Sequence, residues 1–211
     1  MRFLLLALCF SVISVQAQAD VYIWRDAHTQ VKASFPDTWK IIKNQQPDTI
    51  LTIIAPDSES MPICSIKVRE DNRFRMYPVQ FESDIQKVAY SYNFWEDYLL
   101  NEYADVRIPM KMDESGLGKS FASHALFNYT GEPHESDNFR QGIGFASHYY
   151  DFGVIAECTA NQTGYPDWVP QFMGFFGSID YPTVYGTTVN GKYRDFINQD
   201  AYTDKGLDIR N

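Results

Sequence analysis

The sequence predicts an α+β fold, an antiparallel sheet with helices packed on it in an αβα sandwich. Three observations lead there. Short runs of alternating apolar and polar residues fill the chain from Val21 to Val68 and again from Val106 to Thr159. Between them, Phe81, Ile85, Val88, Tyr92, Trp95 and Leu99 recur at steps of three and four, which is the spacing of a helix face. A second helical pattern, 167–176, comes late. Strands gathered in two groups around one helical segment, rather than alternating with helices, favour antiparallel pairing.

Taken in order, Val21–Trp24 and Val31–Phe35 alternate across the polar turn 25–28 and predict a first hairpin. Phe35-Pro36-Asp37 turns the chain, Trp39–Ile42 forms a short strand, and 50–55 forms a longer one that ends at Pro56-Asp57. The strand 62–68 is next. From Pro78, a residue suited to a first helical turn, the helical period takes over, with Asn93 as the expected break between two helices. Strand patterns resume over 106–112, turn at Gly116-Leu117-Gly118, and continue as a hairpin of 120–129 with 142–150. After Asp151-Phe152-Gly153 comes the strand 154–159, then the last helix, with Asp167 as its expected cap.

The amino terminus reads as a cleavable signal peptide, residues 1–19: Arg2, an apolar run from Phe3 to Val15, and an A-x-A type site before Asp20. The run is too short to span a bilayer, which takes about 20 residues. The mature chain divides into one domain over 20–181 and a polar tail over 182–211, of which Tyr185, Tyr193 and Phe196 are the residues able to dock. Without Arg2 the mature chain sets 17 basic residues against 27 acidic ones, a formal charge of −10. That balance opposes general binding to nucleic acid or to anionic membranes. Cys9 leaves with the signal, so Cys64 and Cys158 remain, and an even pair in an oxidising compartment predicts one disulfide. It would staple two strands distant in sequence and close a loop of about 95 residues, worth about 4 to 5 kcal/mol in the chain-entropy model.

The stretch Phe35-Pro36-Asp37-Thr38-Trp39, together with the order of strands and helices from Val21 to Ile179, resembles the PsbP-like family of exported domains. Phe35 to Trp39 is similar to that family's aromatic-Pro-x-x-Trp opening of the first hairpin. The resemblance implies αβα layering and a non-enzymatic assembly or accessory role, and it carries over no catalytic residue.

Three clusters could carry chemistry. Glu132, His134, Glu135 and Asp137 crowd one predicted hairpin loop and offer oxygen and nitrogen ligands to a metal ion, although Pro133 stiffens the loop and no second ligand set stands at a recognised spacing. His124 and His148 lie on the two arms of one hairpin, where the register decides whether they face each other; with Glu157 they would make an acid–base group. The abundant Tyr and Phe, 14 and 15 residues, supply amphipathic surface of the kind enriched at binding interfaces. No G-x-S-x-G, H-E-x-x-H, P-loop or dinucleotide motif is present, so the sequence points to no cofactor. The expectation is an exported, periplasmic or secreted, non-catalytic protein that binds another protein or an envelope component. The alternative is a small hydrolase or metal-dependent enzyme using His124, His148 and the 132–137 loop.

Overall fold

A computed structural model describes residues 20–43, 46–56, 59–74, 76–77, 81–118, 120–130, 139–149 and 152–181. Its first element is a separate ribbon of β1 (Val21–Arg25) and β2 (Lys32–Pro36), antiparallel with Tyr22 opposite Phe35 and Trp24 opposite Ala33. The main sheet has seven strands in the order β3-β4-β5-β9-β8-β7-β6, every neighbouring pair antiparallel. These are β3 (Lys40–Ile41), β4 (Thr49–Ile54), β5 (Ile63–Glu70), β6 (Arg107–Leu117), β7 (Ser120–Thr130), β8 (Phe139–Tyr149) and β9 (Phe152–Asn161). Helices α1 (Glu82–Ala89) and α2 (Tyr92–Glu102) fill the long connection from β5 to β6, and α3 (Tyr165–Ser178) comes after β9.

Because successive strand residues point to opposite faces, each strand feeds two cores. On one face Ile66, Phe145, Ala156 and Cys158 meet Phe172, Phe175 and Phe176 of α3, and the β1–β2 ribbon completes that layer through Ala33 and Phe35. On the other, Ala125, Phe127, Ala146 and Ile155 meet Trp95, Tyr98 and Leu99 of α2 and Ala89 of α1. The fold is therefore an αβα sandwich. Small residues admit the helices: a Cβ on Gly144 would stand 2.8 Å from the indole of Trp95.

The predicted single stripe along the first helical segment is divided. The helices break at Tyr90–Ser91 rather than at Asn93, and α2 starts on a new rotational phase. Ile85, Trp95 and Leu99 are buried as expected, whereas Phe81, Val88 and Tyr92 are exposed and Gln86 and Tyr98 take core positions. Pro78 lies outside the described residues. The capping residue of α3 is Gly164, with a proline in the first turn, and Asp167 lies inside the helix. The strand β6 runs on through 113–116 to Leu117 with two register shifts, so the turn comes at Gly118, whose φ of 56° suits glycine.

Candidate functional site

Cys64 and Cys158 stand directly opposite each other on β5 and β9 and form the expected disulfide, with Cα atoms 4.1 Å apart. The bond lies in the α3-side core, both cysteines fully buried.

The two histidines are not brought together. In the β7–β8 register His124 is opposite Phe145, and its ring stacks on that phenyl at 5.3 Å between centroids. His148 is an odd number of residues from Phe145 and emerges on the other face, beneath α1. There it is 3% exposed, its Nε2 lies 3.2 Å from the Asp71 carbonyl, and the ring of Phe74 meets it edge-on. Burial lowers the pKa of His124, which holds it in the neutral form. The separation corrects the expected acid–base pair: the register puts a sheet between its members. Glu157 shares the face of His148 but sits opposite Gly144, with His148 opposite Gly153. Four residues along β9 separate the two positions, about 13 Å of strand. Glu132, His134, Glu135 and Asp137 lie outside the described residues. Among the described residues no group of three or more His, Cys, Asp or Glu is placed to hold a metal ion.

What the fold does assemble is a polar seam between α2 and the sheet. Glu157, in the middle of β9, is 3% exposed. Its Oε2 accepts hydrogen bonds from the hydroxyls of Tyr98 at 2.9 Å and Tyr103 at 3.4 Å, and its Oε1 has no partner among the described residues. Burial pushes its pKa upward, opposed by the charge of Lys67 and the phenol hydrogen bonds. Lys67 gives its own hydrogen bond elsewhere, to Glu102 at 2.7 Å, beside an Arg69–Asp48 pair at 2.6 Å. Desolvation first, and then the Glu157 charge, raises both tyrosines well above the usual phenol value, so they stay hydrogen-bond donors at any physiological pH. Beyond them, buried Arg140 donates to Tyr129, Thr159, Asn161 and the Met61 carbonyl. Apart from Glu157 Oε1, the seam's groups bond to one another and tie α2 and the 59–61 segment to the sheet. Sequence reasoning missed it because Tyr98, Tyr103 and Lys67 gain their meaning only from α2 crossing β5 and β9.

The opposite face shows a different feature. Helix α3 lies over β8 and β9, and the ribbon packs along the flank of α3 that carries Ser178 through the Ser34–Ser178 hydrogen bonds, with Trp39, just after the ribbon, against Trp168. Leu117, Ser120 and Ala122, around the β6–β7 turn, are fully buried on this side, whereas further along β6 the side chains are exposed. Two cross-strand rows run out from under α3: Ile143, Leu126 and Met110 in one, Phe145, His124 and Met112 in the other. Exposure rises outward, from 8% at Ile143 and 3% at Phe145 to 37% at Met110 and 47% at Met112. Met173, 46% exposed, lies on the flank of α3 facing away from the ribbon, and Phe139, 61% exposed, lies at the far end of β8. The result is an apolar trough two strands wide, about 10 Å, between α3 and the sheet margin.

No family model matches the chain, and no curated protein sequence matches it. Among solved structures it is similar to cyanobacterial PsbP (CyanoP) from Synechocystis sp. PCC 6803, with a TM-score of 0.49 and 9% identity over 82% of this chain and 99% of that one. It is also similar to LpqN of Mycobacterium tuberculosis, described as involved in cell envelope biogenesis, at 0.47 and 11% over 77% and 91%. The Ran-binding protein Mog1p of Saccharomyces cerevisiae gives 0.48 and 6% over 78% and 96%. The PsbP-like resemblance read from the sequence thus reappears among the solved structures.

Proposed function

We propose that this chain is a non-catalytic exported domain that binds another protein or an envelope component through the open β6–β7 face. One observation carries the reading. Met110 and Met112 on β6 and Met173 on α3 are exposed large apolar side chains beside a packed core. Surfaces of this kind on soluble domains mark interaction sites, and methionine, unbranched and polarisable, adapts to varied partners. The buried polar groups point the same way: His148, Asp71, Tyr90 and Gln86 bond to one another and to backbone, and Glu157 is held by tyrosines, so their partners are structural. The disulfide fits an oxidising compartment and supports export.

The test is in-cell photo-crosslinking from a probe at position 112, compared with a probe at the exposed Tyr77 on a distant segment. A discrete adduct at position 112 that disappears in Met110→Glu, with thermal stability unchanged, supports the reading. Equal, diffuse adducts at both positions overturn it.

A further inference from the structure

The edges of the two sheets are guarded unequally. Main-chain groups along a sheet edge are a template for a further strand, and proteins protect such edges with charge, proline, bulges or shortness. In the main sheet one margin, β3, is two residues long. The other, β6, carries Pro109, Lys111, Asp113 and Glu114 and has two register shifts against β7. β1 has none of these devices. It pairs with β2 without a shift, its first four residues are Val21, Tyr22, Ile23 and Trp24, and Val21 and Ile23 are 67% and 70% exposed.

The far side of β2 shows which groups β1 presents. The Lys32 amide and carbonyl exchange hydrogen bonds with Asp180, and those of Ser34 bond to the Ser178 hydroxyl, so both residues aim their main chain away from β1. Arg25 and Ile23, their partners across the ribbon, are therefore in non-hydrogen-bonded pairs, and by alternation so is Val21 opposite Pro36. The amides and carbonyls of Val21, Ile23 and Arg25 thus point outward, and among the described residues no strand meets them. An outward set at alternate positions centred on Ile23 complements itself. A second copy, antiparallel and related by a two-fold axis at Ile23, sets Ile23 on its own counterpart, Val21 opposite Arg25 and Tyr22 opposite Trp24. All the outward residues then lie in hydrogen-bonded pairs, whereas a slip of two residues either way leaves one of them unpaired. The same register brings the two aromatics of each strand against those of the other, a stabilising cross-strand combination.

We propose that β1 is a dimerisation strand, through which two copies of this chain join about Ile23 into one ribbon of order β2-β1-β1-β2. A ribbon of two strands is marginal by itself, and further strands stabilise it. The contact is isologous, the same patch on both copies, and it closes at the dimer. It uses no residue of the β6–β7 face, so it stands apart from the function proposed above.

The experiment is sedimentation velocity of the purified mature chain from about 1 to about 200 µM, where mass action reveals association. The parent is expected to approach twice the monomer mass at the upper end. Ile23→Pro removes an outward amide and spares the bonds to β2, and Ile23→Lys sets two like charges together at the axis. Each is expected to weaken association at least tenfold while leaving the thermal melt of the dissociated protein unchanged, since the Ile23 side chain is exposed. The register is tested by mild oxidation. Ile23→Cys is expected to give a covalent dimer, because the paired residues are within disulfide reach, and Val21→Cys is not, because residue 21 lies about 13 Å along the strand from its counterpart. A parent that stays monomeric throughout overturns the proposal, and is the result expected if the edge instead takes a strand from another protein. Association that neither Ile23 variant weakens, or equal crosslinking from positions 21 and 23, overturns it too.

Discussion

Replacing Glu157 by Gln should turn a pH-dependent stability into a flatter one. The unfolded chain ionises this carboxyl near its ordinary value of 4.5, whereas in the folded state burial holds it higher. Between those two values the folded state binds more protons than the unfolded state, so stability falls as pH rises, by at most about 1.4 kcal/mol per pH unit from this one group. Lys67 offsets part of the effect, but its ammonium is committed to Glu102. Glutamine preserves a carbonyl acceptor for the Tyr98 and Tyr103 hydroxyls and removes the titration. The variant's stability relative to the parent should therefore rise as the pH rises above 4.5. Urea unfolding at half-unit intervals from pH 4 to 8, monitored by tryptophan fluorescence, measures that difference with the other titrating groups cancelled. A difference that is constant across the range, or that moves toward the parent as pH rises, would mean that Glu157 is not held with a raised pKa and that the seam is more hydrated than its geometry implies.

Other outcomes rest on the same structure. Replacing Cys64 and Cys158 together by Ala should cost about 4 kcal/mol, given a separation of 94 residues, read as a lower urea midpoint equal to that of the parent in dithiothreitol. Gly144→Ala should cost about 1–3 kcal/mol by pressing on the Trp95 indole 2.8 Å away, and the loss should shrink in a Trp95→Phe background. Gln86→Leu strands the His148 amide and the Ala146 carbonyl, which the Gln86 side chain bonds at 2.7 and 2.9 Å; a thermal melt should show a loss of about 2 kcal/mol or more.

Much of the fold was legible because alternation and helical period are imposed by the core itself. The strands around Cys64 and Cys158, the hairpin of β7 and β8, and α3 are all readable from spacing alone. The division of α1 from α2 was not, because neither Pro nor Gly marks Tyr90–Ser91 and the helical period is close enough on both sides to read as continuous. The site was less legible. The hairpin pairing was inferred, but the register that sends His124 and His148 to opposite faces is a one-residue matter that sequence does not fix. The open trough is invisible in β6, where Met110 and Met112 look like any inward pair. Only the position of α3, two strands away, shows that nothing described covers them.

The sheet is two meanders joined along one seam. Residues 40–70 supply β3 to β5 and residues 107–161 supply β6 to β9, and among the described strands the ladder they share is β5 with β9, where the disulfide lies. β9 is the last of the described strands in chain order, so the seam closes only after the other eight have been made. During synthesis from the amino terminus, the earlier meander waits with the inner edge of β5 unpaired until the later one arrives. Oxidation at Cys64 and Cys158 then fastens the last ladder to form, and a reductant leaves the two halves of the sheet held by that ladder's hydrogen bonds and by the shared core.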